Sequence, residues 1–72
     1  MDYRRFYEYK GFVGSISFSE EDNIYYGCLL NIRDFVNYEG KDLKELHQSY
    51  MNAVDDYIKI RREIDERYRL YI

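Results

Sequence analysis

The sequence has almost none of the residues that cross-link small domains. Its 72 residues include one cysteine, one histidine, no proline and no tryptophan. One cysteine cannot form a disulfide within the chain, and one cysteine with one histidine is too small a set of soft ligands for a structural zinc site. Because a chain of this length buries only a modest core, we expect it to gain stability from aromatic packing or from association with another chain.

Long apolar runs are missing as well. No stretch approaches the roughly 20 apolar residues that a membrane-spanning helix requires. The basic pair Arg4 and Arg5 near the start is not followed by the apolar run of a signal peptide. A single cysteine is typical of a reducing compartment. The sequence therefore predicts a cytoplasmic protein that does not associate with membranes.

Basic residues are fewer than acidic residues in this sequence. The net charge is −3, and residues 1–40 carry seven acidic but only four basic side chains. Nucleic-acid binding normally draws its affinity from a basic face, so DNA is not an expected partner and RNA is disfavoured. An acidic half is better suited to a basic protein partner.

Aromatic and β-branched residues are abundant in residues 6–40, and they alternate. The alternation predicts strands at residues 9–18, 24–30 and 35–39, with Phe12, Ile16 and Phe18 on one face of the first strand. Residues 19–23 form a polar turn, and residues 31–34 form a second connection. We therefore expect a three-stranded antiparallel sheet.

Residues 42–69 contain neither glycine nor proline and predict one long helix. Asp42 and Glu45 have the spacing of a capping box at its start. Asp55 and Lys59 form an acid-then-base pair four residues apart, which supports a helix. The fold class is therefore α+β, a single βββα domain over residues 1–72, with the sheet at 6–40 and the helix at 42–69. A seam of apolar residues spaced three or four apart runs along the helix: Leu46, Tyr50, Ala53, Tyr57, Ile60 and Ile64.

This helix is too long for the sheet. Residues 43–67 would span about 37 Å at 1.5 Å per residue, whereas the strands would span roughly 17–34 Å. The end of the helix should overhang, and its residues Ile60, Ile64 and Tyr68 then need another surface. We expect them to form the interface of a homodimer or larger oligomer. Residues 68–72 also alternate like a strand, so a short fourth strand at the C-terminus is an alternative.

No arrangement of side chains indicates catalysis. Asp34 and Glu39 flank the third strand and could approach one another, but no base or nucleophile accompanies them. His47 is expected on an exposed helix face. Cys28 lies in an apolar strand and should pack as a small hydrophobic residue. We expect no enzyme activity, no metal and no cofactor.

Three tyrosines of the sheet have two interpretations. Tyr25, Tyr26 and Tyr38 could stack RNA bases. They could equally pack in the core or anchor a protein interface, a role in which tyrosine is enriched. The acidic charge of the sheet half favours the second interpretation.

Several short motifs resemble those of the toxin-binding domain of HicB-family antitoxins. They cover residues 9–58 in the family's order and spacing. They are YKGFVGSI at residues 9–16, FSEED at 18–22, YG at 26–27 followed by LNIRD at 30–34, YEG at 38–40 and AVDDY at 53–57.

The resemblance implies a HicB-like βββα core with a partial RNase H-like layout and no nuclease activity. It implies neutralisation of a small, basic, mRNA-cleaving HicA-type toxin, whose active site the domain would cover. We expect Tyr25, Asp34, Tyr38 and Glu39 to make the contacts. Family members also oligomerise and repress their operon through a C-terminal DNA-binding segment. After Tyr57 this chain continues instead as a charged helix, so DNA binding is not expected. An RNA-binding domain or an orphan oligomerisation module is the alternative.

Overall fold

The fold is an antiparallel sheet followed by one long helix. A computed structural model describes the backbone of residues 6–70 and the side chains of residues 6–64. The α+β class predicted from the sequence is confirmed, but the sheet has five strand segments rather than three. These elements are β1 Phe6–Tyr9, β2 Phe12–Ser15, β3 Ser17–Ser19, β4 Ile24–Leu30, β5 Asn37–Gly40 and α1 Leu43–Leu70.

The extra strand comes from a hairpin at the start of the sheet. β1 pairs antiparallel with β2, and Tyr9 lies opposite Phe12. Lys10 and Gly11 between them both have positive φ, at 52° and 83°. Two such residues make the tight turn that matches the twist of a β-hairpin. The predicted strand at residues 9–18 was wrong at its beginning, because a lysine with positive φ gives no turn signal in the sequence.

β2 and β3 pair with the same edge of β4 and behave as one strand interrupted at Ile16. Gly14 lies opposite Leu29, and Ser17 lies opposite Tyr26. The spacing is the same on both strands, so no residue is inserted at the interruption. The predicted alternation of residues 12–18 between the two faces therefore holds across it.

The interruption coincides with an altered hydrogen-bond pattern at Ser15. The amide of Cys28 donates to Ser15 Oγ at 3.0 Å, and the hydroxyl of Tyr38 donates to the Ser15 carbonyl oxygen at 2.8 Å. A Cβ at Gly27 would collide with that carbonyl oxygen. Glycine at this position therefore allows the Ser15 carbonyl to turn towards Tyr38 and the helix.

β5 completes the sheet on the other edge of β4, with Tyr25 opposite Gly40 and Gly27 opposite Tyr38. Together the strands form an up-and-down sheet in which β1 and β5 are the outermost strands. Because antiparallel partners share a face, Gly14, Gly27 and Tyr38 all lie on the side of the helix.

The helix packs on one face of this sheet. Gly14 allows its close approach, because a Cβ there would lie 2.6 Å from the ring of Tyr50. The seam predicted along the helix is confirmed at Leu46 and Tyr50, which are fully buried, while Val54 is a buried residue that the seam did not include. The buried core consists of Leu29, Tyr38, Leu46, Tyr50 and Val54.

The Asp42 half of the predicted capping box is confirmed at the start of the helix. Asp42 Oδ1 accepts a hydrogen bond from the amide of Glu45 at 2.8 Å. The carbonyl oxygen of Asp42 accepts from the amide of Leu46 at 3.0 Å. A cap of this kind stabilises a helix by about 0.5–2 kcal/mol, and it fixes α1 to begin directly after β5.

The predicted overhang of the helix is present. α1 has 28 residues, about 42 Å at 1.5 Å per residue. Ile64 follows Leu46 by five helical turns and so faces the same way. Leu46 is fully buried, whereas Ile64 is 38% exposed and Ile60 is 53% exposed, because the sheet has ended.

The C-terminal part of α1 bears on two further predictions. The backbone is helical through Leu70, so residues 68–70 do not form the alternative fourth strand. Residues 71 and 72, and the side chain of Tyr68, lie outside the described part of the structure. Within residues 6–70, no helix combines the length and apolar character that crossing a membrane would require.

Candidate protein-binding surfaces

The sheet face that points away from the helix has no described element packed on it. Successive residues of β4 alternate between the two sides, so Tyr25 and Leu29 meet the helix while Tyr26 and Leu30 point away. We call this surface the open face. Its side chains include Phe6, Glu8, Val13, Tyr26, Cys28, Leu30 and Glu39.

The open face has an apolar centre and acidic edges. Val13 lies opposite Leu30 on the two inner strands β2 and β4, and Tyr26, four residues before Leu30 on the same side of β4, is 47% exposed. Glu8 projects from the edge strand β1 opposite Val13, and Glu39 projects from the edge strand β5 opposite Tyr26. Among its described side chains the open face carries carboxylates and no cation, a combination that suits a basic protein surface.

The four residues that were predicted to contact a toxin do not lie on one surface. Glu39 is exposed on the open face. Tyr38 is only 7% exposed and lies beneath the helix. Tyr25 is half-buried on the helix side, with its ring centroid 4.7 Å from that of Phe18. The sequence does not indicate which face of β4 the helix covers, so Tyr26 was not predicted as the exposed tyrosine opposite Glu39.

Asp34 lies in the connection between β4 and β5 and interacts with the helix. Burial, together with the nearby Asp34 carboxylate, raises the pKa of Tyr57 above its ordinary value. Asp34 thus lies towards α1, while Glu39 points to the opposite face, and the two carboxylates do not converge. Within the described residues, no group of three or more His, Cys, Asp or Glu side chains could hold a metal ion.

Several tyrosines form an aromatic cluster beneath the helix. The ring centroid of Tyr50 lies 5.0 Å from that of Tyr7 and 5.4 Å from that of Tyr38. His47 is exposed, and its ring centroid lies 4.7 Å from that of Tyr7. Burial raises the pKa of Tyr7, Tyr38 and Tyr50. Tyrosine suits this core because its ring packs while its hydroxyl reaches a backbone acceptor.

An ion pair ties the first hairpin to the helix. Lys10 Nζ lies 2.9 Å from Asp55 Oδ1, and the hydroxyl of Tyr9 donates to the same oxygen at 3.3 Å. The hydrogen bond from Lys10 lowers the pKa of Asp55. Asp55 was predicted to pair with Lys59 along the helix, but its described partner comes from the β1–β2 turn.

A groove lies between the C-terminal half of α1 and the connection that follows β4. It has a volume of about 500 Å³, and three of its lining residues are arginines. Arg33 comes from the connection, whereas Arg61 and Arg62 come from the helix. The sequence does not predict this feature, because Arg33 lies far from Arg61 and Arg62 in the chain. We call it the arginine groove. Its lining residues are Phe12, Asn31, Ile32, Arg33, Tyr57, Ile58, Arg61 and Arg62.

Comparison with known proteins adds no assignment. No family model, curated protein sequence or solved structure matches the chain. The features that bear on function are therefore the short motifs, the open face and the arginine groove.

Proposed function

We propose that this chain is a non-catalytic, cytoplasmic protein-binding domain of the HicB antitoxin kind. It neutralises a small, basic, mRNA-cleaving toxin of the HicA kind by covering the toxin's active-site surface. The observation that carries the proposal is the open face. It presents the apolar side chains of β2 and β4 between carboxylates on both edge strands.

The chemistry of the open face fits such a partner. Contiguous exposed apolar side chains on a small domain mark interaction sites, and Tyr26 is the kind of side chain that anchors protein interfaces. Glu8 and Glu39 would attract a basic toxin and fix its orientation. We therefore propose Tyr26 and Glu39 as contacts. Tyr25 and Tyr38 would act indirectly, by holding the sheet against the helix.

Residues of the motifs that resemble HicB antitoxins make close contacts between the sheet and the helix. Gly40 of YEG packs so closely against the helix start that a Cβ would collide with the amide of Leu46. Within AVDDY, Val54 is fully buried and Asp55 holds Lys10. These motifs therefore specify contacts between sheet and helix. This supports a HicB-like core, which we propose to have the family's partial RNase H-like layout.

The overhanging helix supports a homodimer as part of the same proposal. Ile60 and Ile64 have no described sheet residues beneath them and are exposed. A second copy of the chain would cover them, together with Tyr68 as the sequence predicts.

RNA binding through a tyrosine platform has less support. Tyr25 and Tyr26 are neighbours on one strand and so point to opposite faces, and Tyr38 is buried. Stacking successive bases needs several aromatic rings on one accessible surface, and these three tyrosines do not share one.

Co-expression with the product of the adjacent gene tests the proposal, if that gene encodes a small basic protein. The wild-type chain should restore growth and co-purify with the toxin, whereas Tyr26→Ala and Glu39→Lys should do neither. Phe35→Ala and Asp56→Lys are matched controls, because both residues are exposed away from the open face, and they should behave as wild type. Equal rescue by all four variants would contradict the role of the open face. Low-salt binding of single-stranded RNA that Tyr26→Ala abolishes would favour the alternative function.

A further inference from the structure

The charges of this acidic protein are segregated along the sheet. The described part of the chain has seven Lys and Arg side chains, and five of them line the arginine groove or a depression beside it. The carboxylates of Asp55 and Glu63 also line the depression, so the basic side chains outnumber the acidic ones there by five to two. One end of the molecule is therefore locally basic although the net charge is −3. These five residues are Lys10, Arg33, Lys59, Arg61 and Arg62.

The opposite end of the sheet is acidic. Glu20, Glu21 and Asp22 follow one another in the exposed turn between β3 and β4, which we call the acidic turn. The amide of Asp22 donates to Ser19 Oγ at 3.3 Å, so the turn is held by its own hydrogen bond. Phe18, directly before it, is 44% exposed. The acidic turn thus presents carboxylates next to an aromatic ring.

These two surfaces cannot meet within one molecule. The arginine groove begins at Phe12, at one end of the β2–β3 strand, and the acidic turn begins after Ser19 at its other end. Seven residues of extended chain separate them by about 23 Å. A contact between them must join two copies of the chain.

We propose that the acidic turn of one copy docks in the arginine groove of a second copy. Guanidinium groups bind carboxylates in a bidentate geometry. The groove also has the apolar side chains Phe12, Ile32 and Ile58, which suit the aromatic ring that precedes the acidic turn. This combination fits a short acidic peptide segment better than a long polyanion such as RNA, which the remaining acidic surface would repel.

Two-fold symmetry makes the contact occur twice. If the copies lie side by side in opposite directions, each acidic turn reaches the other copy's groove and the assembly closes as a dimer. Ile60 and Ile64 flank Arg61 and Arg62 on the same stretch of helix, so the contact would lie next to the exposed apolar residues. This inference rests on the homodimer of the proposed function and specifies its geometry, and it is tested without any toxin.

Charge reversal followed by mixing tests the contact, with oligomeric state measured by light scattering and sedimentation. One variant carries Glu20→Lys and Glu21→Lys, and the other carries Arg61→Glu and Arg62→Glu. Wild type should be a dimer that weakens as salt rises. Each variant alone should dimerise about tenfold or more weakly, because like charges then face each other at both contacts.

The equimolar mixture of the two variants should form dimers again. In the mixed pair, a basic turn meets an acidic groove and an acidic turn meets a basic groove, so both contacts are restored. A control with Glu45→Lys and Asp56→Lys changes the net charge as much as the first variant does and should dimerise like wild type. If a reversal variant does not fold by circular dichroism, E20Q/E21Q and R61Q/R62Q replace the two variants, and each should weaken dimerisation.

Three results would overturn the proposal. A monomeric wild type would remove the dimer altogether. Unchanged dimerisation of either variant would show that the acidic turn or the groove lies outside the interface. Binding of single-stranded RNA that the groove variant abolishes, with dimerisation intact, would assign the groove to phosphates instead. None of these results depends on toxin neutralisation, which the co-expression experiment measures separately.

Discussion

The hydroxyl of Tyr50, in the third turn of the helix, donates a hydrogen bond of 2.5 Å to the carbonyl oxygen of Phe12 at the start of β2. The Tyr50 side chain is fully buried and packs over Gly14. One residue thus supplies both apolar contact and a polar tie between helix and sheet, two elements that lie far apart in the sequence.

Removing only the hydroxyl of Tyr50 should therefore destabilise the fold without disrupting it. Tyr50→Phe should lower the free energy of unfolding by about 0.5–1.5 kcal/mol, because the Phe12 carbonyl loses its partner. Tyr50→Ala should cost about 3–5 kcal/mol, because it also leaves a cavity. Denaturant unfolding monitored by circular dichroism measures both. Tyr26→Phe removes an exposed hydroxyl and should stay within about 0.5 kcal/mol of wild type. Equal effects of Tyr50→Phe and Tyr26→Phe would contradict the buried hydrogen bond.

Tyr38 should make the fold sensitive to alkaline pH. Burial raises its pKa well above the ordinary value of 10.0, so the folded state retains a proton that the unfolded state releases. This contribution to stability is fully present below about pH 10 and is lost as the pH rises towards the folded-state pKa. Unfolding measured between pH 8 and pH 11.5 should show that decline. Tyr38→Phe should have a lower stability at pH 8 but a flatter dependence above pH 10, and an unchanged slope would argue against a buried Tyr38 hydroxyl.

The ion pair between Lys10 and Asp55 should make the stability of the fold depend on pH in the acidic range. The hydrogen bond from Lys10 lowers the pKa of Asp55 below 3.8. A carboxyl with a lowered folded-state pKa stabilises the fold above its unfolded-state pKa, and that contribution is lost as the pH falls below about 4. The stability of Asp55→Asn should therefore fall less steeply than that of wild type as the pH drops below about 4.

A double-mutant cycle gives the control for this ion pair. If Lys10 and Asp55 interact, Lys10→Ala should change the acid dependence in the same direction as Asp55→Asn, and the double variant should add little more. Added salt should reduce the difference, because both side chains are about half exposed. Strictly additive effects would show that the two residues act independently.

The sequence predicted those parts of the fold that depend on local, repeating signals. The cap at Asp42 has a residue type that favours a helix start, and the helix that follows has no residue that would end it. The length mismatch between helix and sheet required only the rise per residue. Each of these features depends on neighbours along the chain, which a single sequence displays directly.

The features that the sequence did not predict depend on choices made by the tertiary fold. Tyr25 and Tyr26 are adjacent in β4 and therefore point to opposite faces of the sheet. Only the position of the helix decides which of them is covered. The turn at Lys10 requires a backbone conformation that the residue type does not signal. The arginine groove combines Arg33 with Arg61, which sequence spacing could not bring together. The open face and the groove are therefore visible only in three dimensions.

The contrast between Leu46 and Ile64 provides a final test, since both lie on the same side of the helix but only Leu46 lies over the sheet. Leu46→Ala should lower the free energy of unfolding by about 2–5 kcal/mol, as expected for a fully buried leucine. Ile64→Ala should change unfolding little at protein concentrations where the chain is monomeric. At concentrations that favour the dimer, the same substitution should weaken association, because the exposed side chain is then covered. Light scattering and denaturant unfolding over a range of protein concentrations measure both effects. A large, concentration-independent loss of stability in Ile64→Ala would mean that Ile64 packs within its own chain and that the overhang is not an interface.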